Sequence, residues 1–174
     1  QLDIAQVSED PFVQFANWMD EAIHAEIQEP TAMTVCTVSE GGRPSARIML
    51  LKGVEDKKFV FYTNYSSRKG LEMATNPFVS LTFFWAELER QVRIEGKVEK
   101  VDAATSDDYF NSRPKGSRIG AHVSPQSEVI TNRAFLEERE KRVAAKFAKD
   151  EAVPRPAHWG GYALSPDKIE FWQG

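Results

Sequence analysis

Residues 31–52 read TAMTVCTVSEGGRPSARIMLLK, and this stretch indicates how the chain folds. The run at 31–38 is rich in β-branched residues and alternates between apolar and polar positions, as a strand does. The SEGGRP segment at 39–44 has the composition of a turn, and a second strand-like run follows at 45–52. Two strands joined by so short a turn pair most simply as an antiparallel hairpin.

The segments beyond the hairpin repeat this pattern of strands, with helices between them. In the strand predicted at 89–101, Val92, Ile94 and Val98 alternate with polar residues, so one face of the strand is buried and the other is exposed to solvent. A helix is predicted at 11–28, where Asp10 and Pro11 form an N-cap and first-turn pair. The remaining predictions are strands at 59–63 and 79–85, helices at 66–76 and 102–114, a longer amphipathic helix at 131–150, and closing strands GYALSP and KIEFWQ within 159–173.

The order of these elements indicates the fold class. There is no strand-helix-strand repeat of the kind that builds a parallel sheet, so an antiparallel barrel with helices, of the α+β class, is favoured. We expect a single domain over residues 1–174, with barrel strands at 31–101 and helical insertions at 102–150.

Composition excludes several classes of protein. The 174 residues are 41% hydrophobic, enough for one core, and the net charge of −4 argues against a nucleic-acid partner. The single cysteine, Cys36, rules out an internal disulfide and fits a reducing compartment. No apolar run has the length of a membrane span, and the N-terminus lacks a signal-peptide pattern. A cytoplasmic protein with no membrane partner is expected.

Familiar catalytic signatures are missing. The sequence has no phosphate-binding P-loop and no dinucleotide-binding glycine fingerprint. His24, His122 and His158 stand apart from one another, so no metal site is expected. Cys36 lies in an apolar strand, where a buried structural thiol is a better interpretation than a nucleophile.

Cations and hydroxyls are concentrated in residues 47–70, RIMLLKGVEDKKFVFYTNYSSRKG. Arg47 and Lys52 are five residues apart, so in a regular strand they point to opposite faces and indicate two anionic groups rather than one. Ser67, Arg68 and Lys69 open a helix, where free backbone N–H groups and the helix dipole favour a phosphate. The alternative interpretation is a solubilising strand edge followed by an ordinary capped helix.

A second cluster consists of Tyr109, Arg113 and Ser117. Tyr109 and Arg113 are spaced to share a helix face, and Ser117 follows shortly after. A guanidinium with two hydroxyls makes a good phosphate clamp, although a surface helix end has the same composition. Gln126 and Ser127, in SPQS, indicate only a loop by themselves.

Five motifs together resemble one known family. RIMLLK, FYTNYSSRKG, ERQVRIEGKVEKV, YFNSRPKGSRIGAHVSPQS and WGGYALSPDKIEFWQG occur in the order found in the pyridoxine/pyridoxamine 5′-phosphate oxidases, over about residues 10 to 174. The resemblance implies an FMN-binding split β-barrel, antiparallel and Greek-key-like. It also implies a homodimer with FMN at the subunit interface, each site drawing on both subunits.

The resemblance also implies roles for individual residues, although it supplies no catalytic side chain. The phosphate of a pyridoxine ligand would be held by Lys52, Tyr109, Arg113 and Ser117. FMN would be held by Arg47, Ile48, Met49, Leu50, Leu51, Lys52, Tyr62, Thr63, Arg68, Lys69, Gln91, Gln126, Ser127 and Trp172.

The implied activity is oxidation of pyridoxamine or pyridoxine 5′-phosphate to pyridoxal 5′-phosphate, with O2 as acceptor and H2O2 as a product. Two alternatives remain open at this point: a related FMN oxidase of phenazine biosynthesis, and a non-catalytic protein that binds flavin or pyridoxal phosphate. The chain departs from the family's usual residues at Arg118, His122 and Ala163. Family members usually continue past the segment that matches WQG into a tail with substrate-contacting Arg and His residues.

Overall fold

Seven strands form one antiparallel sheet in the computed structural model, which describes residues 2–149 and 152–174. The strands are β1 Ala32–Val38, β2 Pro44–Leu50, β3 Gly53–Glu55, β4 Lys58–Asn64, β5 Phe78–Trp85, β6 Arg90–Lys100 and β7 Trp159–Gln173. The helices are α1 Pro11–His24, α2 Arg68–Thr75, α3 Ala103–Ser112, α4 Lys115–Val123 and α5 Arg133–Lys146, with short 3-10 helices at Ile4–Gln6 and Ala86–Leu88.

The sheet curls into a half-barrel because of its strand order, β2-β1-β5-β6-β7-β4-β3. Strands β2 and β3 are its two edges, yet only Leu51 and Lys52 separate them in the chain. The edges must therefore approach each other, and Lys52 in the link between them donates its backbone N–H to the Val60 carbonyl of β4 at 2.9 Å. This architecture, with the β1–β2 hairpin, confirms the predicted antiparallel α+β barrel.

A single long strand closes the sheet where two strands were predicted. Strand β7 runs for 15 residues and pairs with both β6 and β4. The register of its pairing with β6 shifts between Glu95 and Gly96, and Gly96 lies opposite Pro166. Proline cannot donate to a sheet, so the irregularity accommodates it without breaking the strand.

Helix α1 covers the inside of the half-barrel. The Phe15 ring packs edge-on against Phe59 and Phe83, at centroid distances of 5.0 and 5.1 Å, and all three side chains are buried. The helix ends at His24, four residues before its predicted end at 28. Ile27 nevertheless packs against the core, because the chain turns back there and the Ile27 N–H donates to the Ala22 carbonyl at 3.2 Å.

The helical segment after β6 differs most from its prediction. Helix α3 ends at Ser112, and Arg113 is extended because the following Pro114 disfavours the helical conformation. The prediction that Tyr109 and Arg113 share a helix face was therefore wrong.

Two further helices follow that one. Helix α4 was not predicted. Helix α5 has no buried residue, so it is not the amphipathic helix that was predicted. The predicted end of α5 at residue 150 lies outside the described residues.

None of the helices in the described ranges has the length and apolar character to cross a membrane.

Candidate functional site

A cavity of about 890 Å3 opens where the half-barrel closes. Strands β2 and β4 and the start of α2 form one side, and the α3–α4 region forms the other. The lining residues are Arg47, Ile48, Met49, Leu50, Lys52, Tyr62, Thr63, Asn64, Lys69, Tyr109, Arg113, Pro114, Ser117, Gly120, Ala121, Ser124, Gln126 and Trp159.

Lys69 places a buried cation in the cavity wall. Ser67 caps α2 by accepting from the Gly70 N–H, and this fixes the first turn of the helix that carries Lys69. The Lys69 ammonium, on a residue only 7% exposed, donates to Gln126 Oε1 at 3.1 Å and to the hydroxyls of Thr63 and Ser67 at 3.3 Å. All three acceptors are neutral. Burial, followed by repulsion from Arg47, lowers the pKa of Lys69. An anion entering the cavity would therefore relieve an unneutralised charge.

Arg47, by contrast, has a partner carboxylate. Its guanidinium donates to Thr37 Oγ1 and Ser45 Oγ, both at 2.6 Å, and lies 3.6 Å from Glu72 Oε2. Burial raises the pKa of Glu72, but hydrogen bonds from Ser45, Thr37 and Arg68 outweigh it and bring the pKa to about 2. Arg68 donates to Glu72 at 2.9 Å from an exposed position, so it contacts this carboxylate and does not line the cavity.

A second part of the cavity wall is aromatic and combines residues from β4, α3 and the start of β7. The Tyr62 and Tyr109 rings stack at 3.9 Å between centroids, and Trp159 lies nearly parallel to both at 5.6 and 6.2 Å. The Arg113 guanidinium lies 4.4 Å over the Trp159 ring, and its Nη1 is buried without a hydrogen-bond partner among the described residues. Burial raises the pKa of Tyr62 to about 12, so its hydroxyl stays protonated at neutral pH. The wall offers flat rings and an unsatisfied cationic donor.

Helix α4 leaves the middle of the cavity open. Ser117, Gly120, Ala121 and Ser124 follow one another at helical spacing along its cavity face, and all are small. His158 Nε2 donates to the Ala121 carbonyl at 3.0 Å and holds the helix against the segment that precedes β7. Because these four residues have small side chains, they leave room for ligands beside the aromatic wall.

The structure brings most of the predicted site residues into this one cavity. All four residues assigned to the substrate phosphate line it: Lys52, Tyr109, Arg113 and Ser117. The cofactor residues that line it are Arg47, Ile48, Met49, Leu50, Lys52, Tyr62, Thr63, Lys69 and Gln126. Arg47 and Lys52 line the same cavity because β2 ends at Leu50, so the expectation that strand alternation separates them was wrong.

Five predicted cofactor residues lie elsewhere in this subunit. Leu51 is buried in the core, Arg68 points toward Glu72, and Ser127 follows the cavity residue Gln126 in a left-handed conformation with φ of 70°. Gln91 and Trp172 face each other on β6 and β7, away from the cavity lining. Their position follows from the alternation of the sheet, which turns both side chains to its outer face.

That outer face carries large exposed apolar side chains. Ile48 is 68% exposed, Phe84 64% and Trp172 51%. The strand pairings from β2 through β1, β5 and β6 to β7 place all three on the same side of the sheet. Ile48 also lines the cavity, so the cavity opens next to this apolar face.

Sequence reasoning missed several residues of the cavity. Asn64, Pro114, Gly120, Ala121, Ser124 and Trp159 line it as well. The spacing of small residues in KGSRIGAHVS was an available signal for the α4 face. Trp159 had no such signal, because its partners Tyr62 and Tyr109 are distant in sequence.

Comparison with known proteins places these features in a family. The model of the family described as pyridoxamine 5′-phosphate oxidase matches residues 19–147. The chain is 60% identical to the pyridoxine/pyridoxamine 5′-phosphate oxidases of Burkholderia thailandensis and Burkholderia vietnamiensis, over 99% of this chain and 80% of each relative.

Two solved structures have the same fold. PhzG from Burkholderia lata 383, in complex with tetrahydrophenazine-1-carboxylic acid, superposes with a TM-score of 0.92 at 26% identity, over 100% of this chain and 86% of that one. A pyridoxamine 5′-phosphate oxidase-related, FMN-binding protein from Nostoc punctiforme has a TM-score of 0.74 at 14% identity, over 96% and 87% of the two chains. The family match and the 60% identity over nearly the whole chain show that this protein belongs to the pyridoxamine 5′-phosphate oxidase family.

Proposed function

We propose that the protein is an FMN-dependent oxidase that converts pyridoxamine and pyridoxine 5′-phosphate to pyridoxal 5′-phosphate. Two separate cationic groups in one cavity are the observation that carries this proposal. Lys69 of α2 and Arg47 of β2 lie on one side of the cavity, the β4–α2 side, whereas Arg113 lies on the aromatic side with an unpartnered Nη1. A phosphorylated cofactor and a phosphorylated substrate together match this arrangement.

The residues on the β4–α2 side fit FMN. Lys69 is a buried cation bonded only to neutral oxygens, and a phosphate would supply the missing negative charge. Arg47 and Gln126 would assist it, and the backbone at 47–52 would lie along the flavin. When bound, FMN would supply the two-electron acceptor for hydride removal, and O2 would regenerate it with release of H2O2.

The residues on the aromatic side fit the substrate. Arg113, Tyr109, Ser117 and Lys52 would hold its phosphate through charge-assisted hydrogen bonds, and the aromatic wall would border the pyridine. Among the described residues that line the cavity, none is an aspartate, glutamate or histidine. The residues present are suited to binding and orienting two rings, and with the amine substrate water releases ammonia from the oxidised product.

We also propose that the protein acts as a homodimer. The outer face with Ile48, Phe84 and Trp172 is a large exposed apolar surface of the kind that subunits bury. Because the cavity opens beside this face, Gln91 and Trp172 of the partner subunit would complete the flavin site. Sedimentation or light scattering of the purified protein tests the dimer, and a monomer at micromolar concentration would contradict it.

A second function is favoured by the likeness to PhzG. That protein binds tetrahydrophenazine-1-carboxylic acid, a tricyclic carboxylate without a phosphate. A carboxylate also pairs with a guanidinium, so the choice of the phosphorylated substrate rests on the 60% identity to the pyridoxine/pyridoxamine 5′-phosphate oxidases.

The test is an aerobic assay of the purified protein with its flavin spectrum recorded. We expect H2O2 and pyridoxal phosphate to form from pyridoxamine phosphate, with little turnover of a reduced phenazine carboxylate. Bound flavin without turnover of either substrate would indicate a binding protein instead.

The Arg113→Ala variant tests the substrate side specifically. Loss of one charge-assisted phosphate contact costs roughly 1.5–3 kcal/mol, so KM should rise about 10- to 150-fold. FMN content should stay unchanged. Lys57→Ala, which removes an exposed cation paired with Asp10, is the matched control and should behave like the parent protein. Equal loss of flavin and substrate binding in Arg113→Ala would contradict the assignment.

A further inference from the structure

Trp159 occupies a rigid position at the start of β7. The residue is 8% exposed, and its register partner across the sheet is Asn64. The backbone N–H of Trp159 donates to the Pro156 carbonyl at 3.0 Å, and the backbone carbonyl of Trp159 accepts from Arg155 Nη1 at 2.7 Å. Arg155 is paired in turn with Asp107 on α3 at 2.6 Å. The Trp159 backbone is thus tied to the helix that leads into Arg113, and its indole packs against Phe110 of that helix with the ring centroids 5.1 Å apart.

Arg113 itself has few other restraints. It lies in the extended link between α3 and α4, and none of the described carboxylates forms an ion pair with it. Its guanidinium carbon lies 4.4 Å from the Trp159 ring centroid and 5.6 Å from that of Phe110. The contacts with the Trp159 and Phe110 rings, the nearer of which is Trp159, are therefore what holds this half-buried cation in place.

We infer that Trp159 is a positioning residue for Arg113. Its ring holds the guanidinium flat against the cavity wall and leaves the unpartnered Nη1 available for an anion. Without the Trp159 ring, its nearest aromatic contact, the guanidinium is free to move from its half-buried position toward solvent, and the site loses phosphate affinity. This inference rests on the proposed function, because it assumes that Arg113 binds the substrate phosphate.

The test measures ligand affinity on the FMN-loaded protein by calorimetry. The ligand is 4-deoxypyridoxine 5′-phosphate, which has no group to be oxidised, and 4-deoxypyridoxine without the phosphate is the matched control. For Trp159→Leu we expect about 5- to 30-fold weaker binding of the phosphorylated ligand, the range of a cation–π contact of about 1–2 kcal/mol. Binding of the unphosphorylated ligand should change less than about twofold.

Two further variants separate positioning from a direct contact. Trp159→Phe keeps a smaller aromatic face and should give an intermediate loss, so it also serves as the test if the leucine variant does not fold. In the Arg113→Ala background, Trp159→Leu or Trp159→Phe should cause little additional loss, because the residue through which Trp159 acts is gone. In turnover, KM should rise and kcat should stay close to that of the parent.

Three results would overturn the inference. Equal weakening of both ligands would mean that Trp159 contacts the ring of the ligand. Additive losses in the double variant would mean that Trp159 and Arg113 act independently. An unchanged affinity for the phosphorylated ligand in Arg113→Ala alone would refute the proposed phosphate site itself, and this inference with it.

Discussion

Replacing Lys69 by methionine separates the binding role of this residue from its structural role. The ammonium is buried and hydrogen-bonded to Thr63, Ser67 and Gln126 without a carboxylate partner. A cation in this state contributes little to folding, since its hydrogen bonds mainly offset the cost of removing it from water. Methionine fills a similar volume without the charge. The apo protein should therefore change its free energy of unfolding by less than about 1 kcal/mol.

Flavin affinity should respond much more strongly than stability. The loss of a charge-assisted hydrogen bond to phosphate costs roughly 1.5–3 kcal/mol, and about 1.4 kcal/mol corresponds to a tenfold change in affinity. The dissociation constant of FMN should rise by about 10- to 150-fold. Riboflavin, which has no phosphate, should bind the parent and the Lys69→Met variant with similar affinity.

Quenching of flavin fluorescence on titration of apo protein gives the affinities, at one fixed ionic strength because the contact is electrostatic. Urea unfolding of the apo protein gives the stability. Lys57→Met, at an exposed cation, is the control and should change neither quantity. An FMN affinity within twofold of the parent would refute the placement of the cofactor phosphate at Lys69. A loss of several kcal/mol in stability would refute the claim that its buried charge contributes little to folding.

Two further predictions concern the same helix. The low pKa of Glu72, about 2 against an ordinary 4.5, means that its ionised form stabilises the fold above pH 4.5 and that this contribution is lost as the pH falls toward 2. In urea unfolding at pH 6, the Glu72→Gln variant should be less stable than the parent protein by on the order of 2–3 kcal/mol, and this difference should shrink between pH 4.5 and 2. A difference that does not depend on pH would show that it does not come from the ionisation of Glu72. In thermal unfolding, Gly70→Ala should destabilise the protein by more than about 2 kcal/mol, because the added Cβ would lie 2.2 Å from the Tyr65 carbonyl oxygen. The control variant Gly116→Ala in α4 places its Cβ in open space and should be neutral or stabilising. Equal effects of the two variants would count against the close approach at Gly70.

The sheet was predictable because its signals are local. The hairpin of β1 and β2 follows from a turn between two alternating runs, and β6 follows from the alternation of Val92, Ile94 and Val98. Helix α4 was missed because Pro114 and two glycines lower the helix propensity of its sequence. The prediction of two separate closing strands was wrong, because a register shift opposite Pro166 lets one strand continue past the proline.

The site was only partly predictable, because its geometry depends on contacts between distant segments. Motif resemblance led to Arg113 and Lys69, both of which line the cavity. It gave no sign that the Arg113 guanidinium lies on Trp159, 46 positions later in the chain, or that Arg68 is held by Glu72. Strand alternation misplaced Lys52 relative to Arg47 because the strand ends before Lys52 is reached.

The position of β7 has a consequence for the protein during its synthesis. This strand lies between β6 and β4 in the sheet, yet the ribosome makes it after every other strand. Translation of the residues between β6 and β7 takes on the order of seconds, and throughout that time β4 and β6 each present an edge without its partner. Such edges can pair with another chain. The nascent protein is therefore most exposed to aggregation before β7 emerges, and the cavity acquires its full wall, which includes Trp159, only when that strand inserts.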